Sequence, residues 1–184
     1  QRGDMVQTIQ AKNLNLSQLE ENFGLIRSPD VQFFPEWQLD LPELSESEKQ
    51  TLDEVKVEFA YLSQQDVLEP IVKLVVLSPL LRMAGFFLPP FRITAEKQVE
   101  LVTEDEELVV RGLIDLLVFR DQIWVVTIEA KRADSLKVAL PQVLLYMMAS
   151  PPLYATSKLM AIDDNEDLYT VAQVLKRLGQ LAQS

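Results

Sequence analysis

The chain has 184 residues and a formal net charge of −11, and it contains neither histidine nor cysteine. This length suits one globular domain with a substantial core. The missing His and Cys exclude a Ser-His-Asp triad, a cysteine nucleophile, a disulfide framework and a zinc site of the usual ligands. Any catalysis must therefore rest on carboxylates, Lys, Tyr, Ser or Thr, and carboxylates suit hard cations such as Mg²⁺ or Mn²⁺.

Hydropathy and charge bear on location and partners. No apolar run reaches the length of a membrane span, and the first residues lack the basic-then-apolar pattern of a secretory signal. We therefore expect a cytoplasmic protein with no membrane partner. The negative charge opposes simple DNA binding, because affinity for duplexes comes largely from phosphate neutralisation. A local basic patch or a bridging metal would have to overcome that field.

The first half of the chain is predicted to be mainly helical. Residues 1–45 form an N-terminal lead-in, with a strand or a helical turn near residues 14–19. Ser45 is a candidate N-cap for a helix over 46–62. A second helix is predicted over 65–83, ended or kinked at a proline. The side chains expected on its buried face are Leu68, Ile71, Val72, Val75 and Val76.

Three strand-like runs follow the double proline at 89–90, over residues 91–102, 108–119 and 123–130. A charged turn and the tight turn 120–122 separate them, which predicts an antiparallel meander. The elements expected after the meander are a helix over 136–149, a strand over 154–162 and a helix over 167–181. The pattern predicts a mixed α/β (α+β) fold in a single domain, 1–184, whose core is 46–184.

The meander carries charged residues within otherwise apolar strands, which is costly unless something pairs them. Because side chains alternate faces, Glu129 and Lys131 share one face of the third strand. Asp115 meets Glu129 only if the register centres on Gln122, which requires an odd-length loop or a bulge. We predict that register. Carboxylates on opposite faces would exclude a shared site.

Two adjacent carboxylates repel, so a cation between them is the natural partner. A divalent metal held by Asp115 and Glu129 would bind a phosphate oxygen and lower the pKa of a bound water. Lys131 would orient that water or balance charge on the phosphate. The residues therefore suggest metal-assisted phosphodiester hydrolysis. The alternative is an exposed strand face with a local ion pair.

The order Asp115, hairpin, Glu129-Ala130-Lys131 resembles the PD-(D/E)xK nuclease superfamily, with Ile114 where the family has proline. The resemblance implies a restriction-endonuclease-like core, in which helices flank a central mixed sheet that contains the antiparallel meander. It also implies a Mg²⁺- or Mn²⁺-dependent deoxyribonuclease. By resemblance, Asp115 and Glu129 are metal ligands and Lys131 is the catalytic lysine.

The helix after the hairpin carries Gln142 and Tyr146, similar to the Gln-x-x-x-Tyr signature of some branches. At i and i+4 they share a helix face, from which they would reach the site or the DNA backbone. Tyr146 is alternatively a core residue with its hydroxyl at the edge.

The remaining candidates have non-functional alternatives as well. An upstream helical glutamate often completes such sites, and Glu69 is the first candidate, with Glu58 second. Glu69 is alternatively a solvated first-turn residue favoured by the helix dipole. Arg132 and Lys137 are candidate phosphate contacts, or simply surface residues.

The resemblance extends to a family of small stand-alone proteins that are similar to the N-terminal nuclease domain of type I restriction enzyme motor subunits. It departs from that family at 150–152, where members carry a strand-sized Gly- and Phe-containing segment. The implied partners are DNA and either a second copy or other restriction or repair subunits. A catalytically inactive DNA- or protein-binding module, and an acidic protein with a structural Asp–Glu pair, are the alternatives. The similar segments are 33–37, 77–81, 87–91, 129–132 and 167–171.

Overall fold

The computed structural model describes residues 7–30, 38–64, 68–103, 107–129, 136–150 and 165–183; the side chains of 136–138 and 165–167 are left out of the description. The described part is a mixed α/β structure. Its elements are β1 (Gln7–Gln10), a 3₁₀ turn (Ala11–Asn13), α1 (Leu16–Phe23), α2 (Glu46–Leu62), α3 (Glu69–Val72), a π-helical turn (Lys73–Leu77), α4 (Ser78–Met83), β2 (Arg92–Val102), β3 (Leu108–Arg120), β4 (Ile123–Ile128), α5 (Leu136–Met148) and α6 (Asn165–Leu181).

The chain divides into two compact units, each made from two separate stretches of sequence. The sheet unit comprises Gln1–Pro29 and Thr94–Ser157, and the helical unit comprises Asp30–Ile93 and Lys158–Ser184. Residues of the predicted lead-in thus contribute β1 and α1 to the sheet unit. The prediction of a single nuclease-like domain stays a prediction.

β3 organises the sheet unit, because it pairs with each of the other three strands. β1 runs parallel to the first part of β3, from Gln7 opposite Leu108 to Gln10 opposite Arg111. β4 runs antiparallel to the last part of β3. The prediction of a mixed α/β fold with a mixed central sheet and flanking helices is therefore confirmed at this level.

The β3–β4 hairpin has the register that the sequence predicts, and a bulge produces it. Two residues, Asp121 and Gln122, form the turn, so that Arg120 pairs with Ile123. Asp121 takes the left-handed conformation, with φ 54°, which aspartate tolerates better than most residues. One extra residue, Val125, then shifts the ladder. Beyond the bulge the pairs are Val118↔Val126, Leu117↔Thr127 and Leu116↔Ile128.

Helix α5 covers the sheet and closes the core of this unit. Leu145 and Tyr146 are buried in one cluster with Val110 and Ile114 of β3. The segment before α1 contributes Ala11 and Leu14 to the same cluster. The remaining buried members are Leu19, Leu108 and Leu117.

The helical unit is built around α2, which has the predicted bounds and cap. The Ser45 side chain accepts a hydrogen bond from the Glu48 N–H, and the Glu48 side chain accepts one from the Ser45 N–H, which makes a capping box. Leu52 and Val55 face inwards, and α2 packs on α4 and α6.

The predicted helix over 65–83 differs from the structure in its start and its buried face. Residues 65–67 lie outside the described ranges, and the helix begins at Glu69, whose successor Pro70 suits a first turn. The Ser78 N–H bonds to the Lys73 carbonyl, five residues back. This π turn directly precedes Pro79, which lacks the N–H that an α-helical bond would need.

The π turn also changes which side chains lie on the buried side of the helix, because the turn contains one residue more than an α-helical turn. Leu68 and Ile71 were expected to be buried, but they are 62% and 38% exposed. The prediction is wrong for these two residues, and right for Val76. The buried face passes instead to Leu80 and Leu81 beyond the π turn.

The other elements agree with the predicted ones to within a few residues. β4 ends at Ile128 rather than at residue 130, and α6 starts at Asn165 rather than at residue 167. The predicted strand over 154–162 lies outside the described residues. In the described parts of the chain, no helix combines the length and apolarity needed to cross a membrane.

Candidate metal site

The register of β3 and β4 relates the two carboxylates that the sequence selects. Glu129 directly follows β4, and the ladder extended by one residue beyond Leu116↔Ile128 sets Asp115 opposite Glu129. Directly opposed residues of an antiparallel pair share a face. The two-residue turn alone would put Asp115 and Glu129 on opposite faces, and the one-residue shift at the bulge brings them into register.

The face of β3 on which Asp115 lies determines whether its side chain can share a site with Glu129. Gly112 lies on the face that α5 covers, and strict alternation would put Asp115 on the other face. Metal-binding measurements on variants of each carboxylate therefore decide whether the two side chains share one site.

Three predicted residues, Glu129, Gln142 and Tyr146, are joined by hydrogen bonds. Nε2 of Gln142 donates to Oε1 of Glu129 at 2.8 Å and to the hydroxyl oxygen of Tyr146 at 2.6 Å. The backbone N–H of Leu113 donates to the same hydroxyl at 3.2 Å. This chain of contacts, from the Leu113 amide to the Glu129 carboxylate, is called the Gln142 relay below. It fixes the orientation of Glu129 from the side of α5.

Burial decides what Gln142 and Tyr146 can contact. Gln142 is 6% exposed and Tyr146 is 0% exposed. A fully buried phenol does not contact a DNA backbone, so the interpretation of Tyr146 as a core residue with a polar edge fits the geometry. Gln142 contacts Glu129 directly, and Tyr146 is joined to it only through Gln142.

The Gln142 relay needs a glycine on β3. A Cβ at Gly112 would collide with the ring of Tyr146 and would approach the Ala11 Cβ at 2.9 Å. Gly112 was not among the residues predicted from the sequence. A lone glycine within a strand pattern marks a close approach of another group, and that was the available signal.

The remaining predicted site residues lie outside the described residues, in the other unit, or where the side chain is not described. Lys131 and Arg132 lie outside the described residues, and Lys137 lies in the first turn of α5 with its side chain undescribed. Glu69 is the first residue of α3, in the helical unit; it has the expected first-turn position but is half-buried rather than solvated. Glu58 is exposed on α2. Within the described ranges, no group of three or more carboxylates is placed to hold a metal.

Comparison with known proteins adds no family. No family model, no curated protein and no solved structure matches the chain. The resemblance to PD-(D/E)xK nucleases stays a prediction from the residues quoted above.

Proposed function

We propose that the chain is a divalent-metal-dependent deoxyribonuclease of the restriction-endonuclease-like type. The observation that carries the proposal is the oriented Glu129 carboxylate beside the register position of Asp115. A buried amide that donates to a carboxylate beside a sheet end is a typical support for a metal ligand. The resemblance adds Lys131 as the lysine of the site.

The donor set fits a hard cation. Mg²⁺ commonly binds through one or two carboxylates and keeps several waters, so Asp115 and Glu129 suffice without a third protein ligand. Glu69 is then not required. A bound cation would polarise a phosphate oxygen and activate water. The chain's own part is to hold the cation with two carboxylates and to keep Glu129 oriented through Gln142.

Calorimetry with Mn²⁺ tests the shared site. We expect Glu129→Ala and Asp115→Asn each to weaken Mn²⁺ binding by about tenfold or more, because each removes one charged ligand. Asp121→Asn is the matched control, since Asp121 is an exposed carboxylate in the same hairpin. Binding that survives Asp115→Asn but not Glu129→Ala would place the two carboxylates on different faces and exclude the two-carboxylate site.

Plasmid cleavage with Mg²⁺ tests catalysis. The wild type should cleave, and Lys131→Ala should lower the rate by at least about a hundredfold if the lysine acts at the reacting phosphate. Equal cleavage by the two proteins would indicate a contaminating nuclease and would remove the catalytic claim.

The alternative of a non-catalytic nuclease-fold module has one specific observation in its favour. The net charge of −11 repels DNA outside any metal site. Mn²⁺ binding without cleavage would favour that alternative. Absence of Mn²⁺ binding would leave the Asp–Glu pair as a structural feature of an acidic protein.

A further inference from the structure

The two polar atoms of the Gln142 side-chain amide differ in their hydrogen bonding. Its Nε2 donates both to Glu129 and to Tyr146. Its Oε1 is buried and has no hydrogen-bond partner within the described structure. Buried polar atoms without a partner are rare and costly, so this atom calls for an explanation.

The alternative orientation of the amide does not remove the problem. Turning it by 180° would set Oε1 against the carboxylate oxygen of Glu129, which is also an acceptor. The carboxylate therefore fixes Nε2 as the atom that faces Glu129. Because Oε1 is consequently held in place as a buried acceptor, it suits a small molecule with a proton to donate.

The groups near Oε1 of Gln142 indicate which molecule would donate a hydrogen bond to it. Oε2 of Glu129, the residue that Gln142 holds, is also buried. A water that lies near a cation is a stronger donor than bulk water, because the cation draws electron density from it. Such a water could satisfy Oε1 while the same amide holds the ligand of that cation.

We propose that Gln142 is a positioning residue with two tasks: its Nε2 orients Glu129, and its Oε1 accepts a hydrogen bond from a water that hydrates the bound cation. This proposal rests on the metal site proposed above. It assigns Gln142 a role in holding water, separate from contact with DNA. It also explains why an amide stands at this position, since neither a carboxylate nor an apolar side chain offers both a donor and an acceptor.

The experiment is water ¹⁷O relaxation with Mn²⁺-loaded protein, which reports how quickly water leaves the bound ion. Gln142→Met keeps the side-chain length and loses both the donor and the acceptor. We expect it to shorten the residence time of one water by about two- to tenfold, the change that corresponds to one net hydrogen bond. Its Mn²⁺ affinity should fall by about ten- to a hundredfold.

One further variant serves as a control. Tyr146→Phe keeps both ends of the amide and should leave the residence time unchanged. Near-ultraviolet circular dichroism of each variant checks that the core packing is retained.

The outcomes distinguish this inference from the proposed function. If the wild type binds Mn²⁺ and Gln142→Met leaves the water residence time unchanged, the role of Oε1 is wrong while the metal site stands. If the wild type binds no Mn²⁺, both proposals are overturned.

Discussion

Gly112 controls how closely α5 approaches β3, because its missing side chain is the space that Tyr146 fills. The ring of Tyr146 is 0% exposed in this cluster, so moving it would disturb the surrounding packing. The relay to Glu129 therefore depends on a residue with no polar group of its own. This dependence connects core packing with the orientation of a candidate metal ligand.

We expect Gly112→Ala to lower the free energy of unfolding by about 1–3 kcal/mol, the usual cost of overpacking a tight core. Urea denaturation measures it. Tyr146→Leu removes the ring that the added Cβ would meet, so the double variant should lose less stability than the two single variants added together. Additive losses would show that the Tyr146 ring and a Cβ at position 112 do not compete for space.

The i and i+4 spacing predicted that Gln142 and Tyr146 share one helix face, because such spacing is a local property. It did not reveal that Leu113 holds Tyr146 or that Gly112 admits it. Those contacts join residues more than thirty positions apart, and helical spacing carries no information about them.

The capping boxes show how much a local sequence pattern determines within a single helix. Asn15 with Gln18 begins α1, and Ser45 with Glu48 begins α2, each with both reciprocal hydrogen bonds. Both patterns use groups three residues apart. The start of α2 was therefore predictable to the residue.

Ser45→Ala should lower stability by about 0.5–2 kcal/mol, since it leaves an N–H at the start of α2 without its acceptor. Thermal unfolding measures the change. Ser63→Ala is the control at the other end of the same helix, where the hydroxyl only donates to the Ala60 carbonyl, and its effect should stay within about 0.5 kcal/mol. Equal losses in both variants would contradict a specific role of the cap.

A partly buried ion pair joins α2 to α6 in the helical unit. Nζ of Lys176 lies 2.6 Å from Oε1 of Glu48, and the two side chains are 18% and 22% exposed. Burial raises the pKa of Glu48, but the hydrogen bonds from Lys176 and Ser45 and the charge of Lys176 outweigh it, so the pKa lies below its ordinary value. The carboxylate form is therefore favoured in the folded chain.

This direction predicts the sign of a pH dependence. A lowered folded-state pKa gives stability that is fully present above the unfolded-state pKa and is lost as the pH falls through the folded-state pKa, a window below about pH 5. Glu48→Gln keeps the cap acceptor and should remove about 1 kcal/mol at pH 7 and much less at pH 3. Urea denaturation at several pH values measures it.

Glu46→Gln is the control for that experiment. Glu46 pairs with Lys49 on the exposed side of the same helix, where its side chain is 90% exposed, so the substitution should change stability little at any pH. A loss in Glu48→Gln that is equal at pH 3 and pH 7 would contradict the ion-pair account.

Over the entire chain, charge is the property that most constrains function. A net charge of −11 should make DNA binding weak without a cation at the site. Fluorescence anisotropy of a labelled duplex at constant ionic strength should show affinity rising by at least about tenfold when Ca²⁺ replaces EDTA. Glu129→Gln should abolish that rise. Strong DNA binding in EDTA would instead indicate a local basic surface that the net charge does not reveal.

Helix starts, strand runs and the chemistry open to the chain were readable from the amino-acid sequence, because caps, periodicity and residue types act over a few positions. The sequence also showed that Asp115 and Glu129 can face each other only across an odd-length loop or a bulge. Three features emerged only from the folded chain: the bulge at Val125 that supplies this register, the π turn that moves the buried face of the helix before Pro79, and the hold of Gln142 on Glu129. The hydrogen bond depends on packing between segments that are distant in sequence. The bulge and the π turn each add one residue within an element and so shift the side chains that follow. A sequence pattern of fixed period contains neither kind of information.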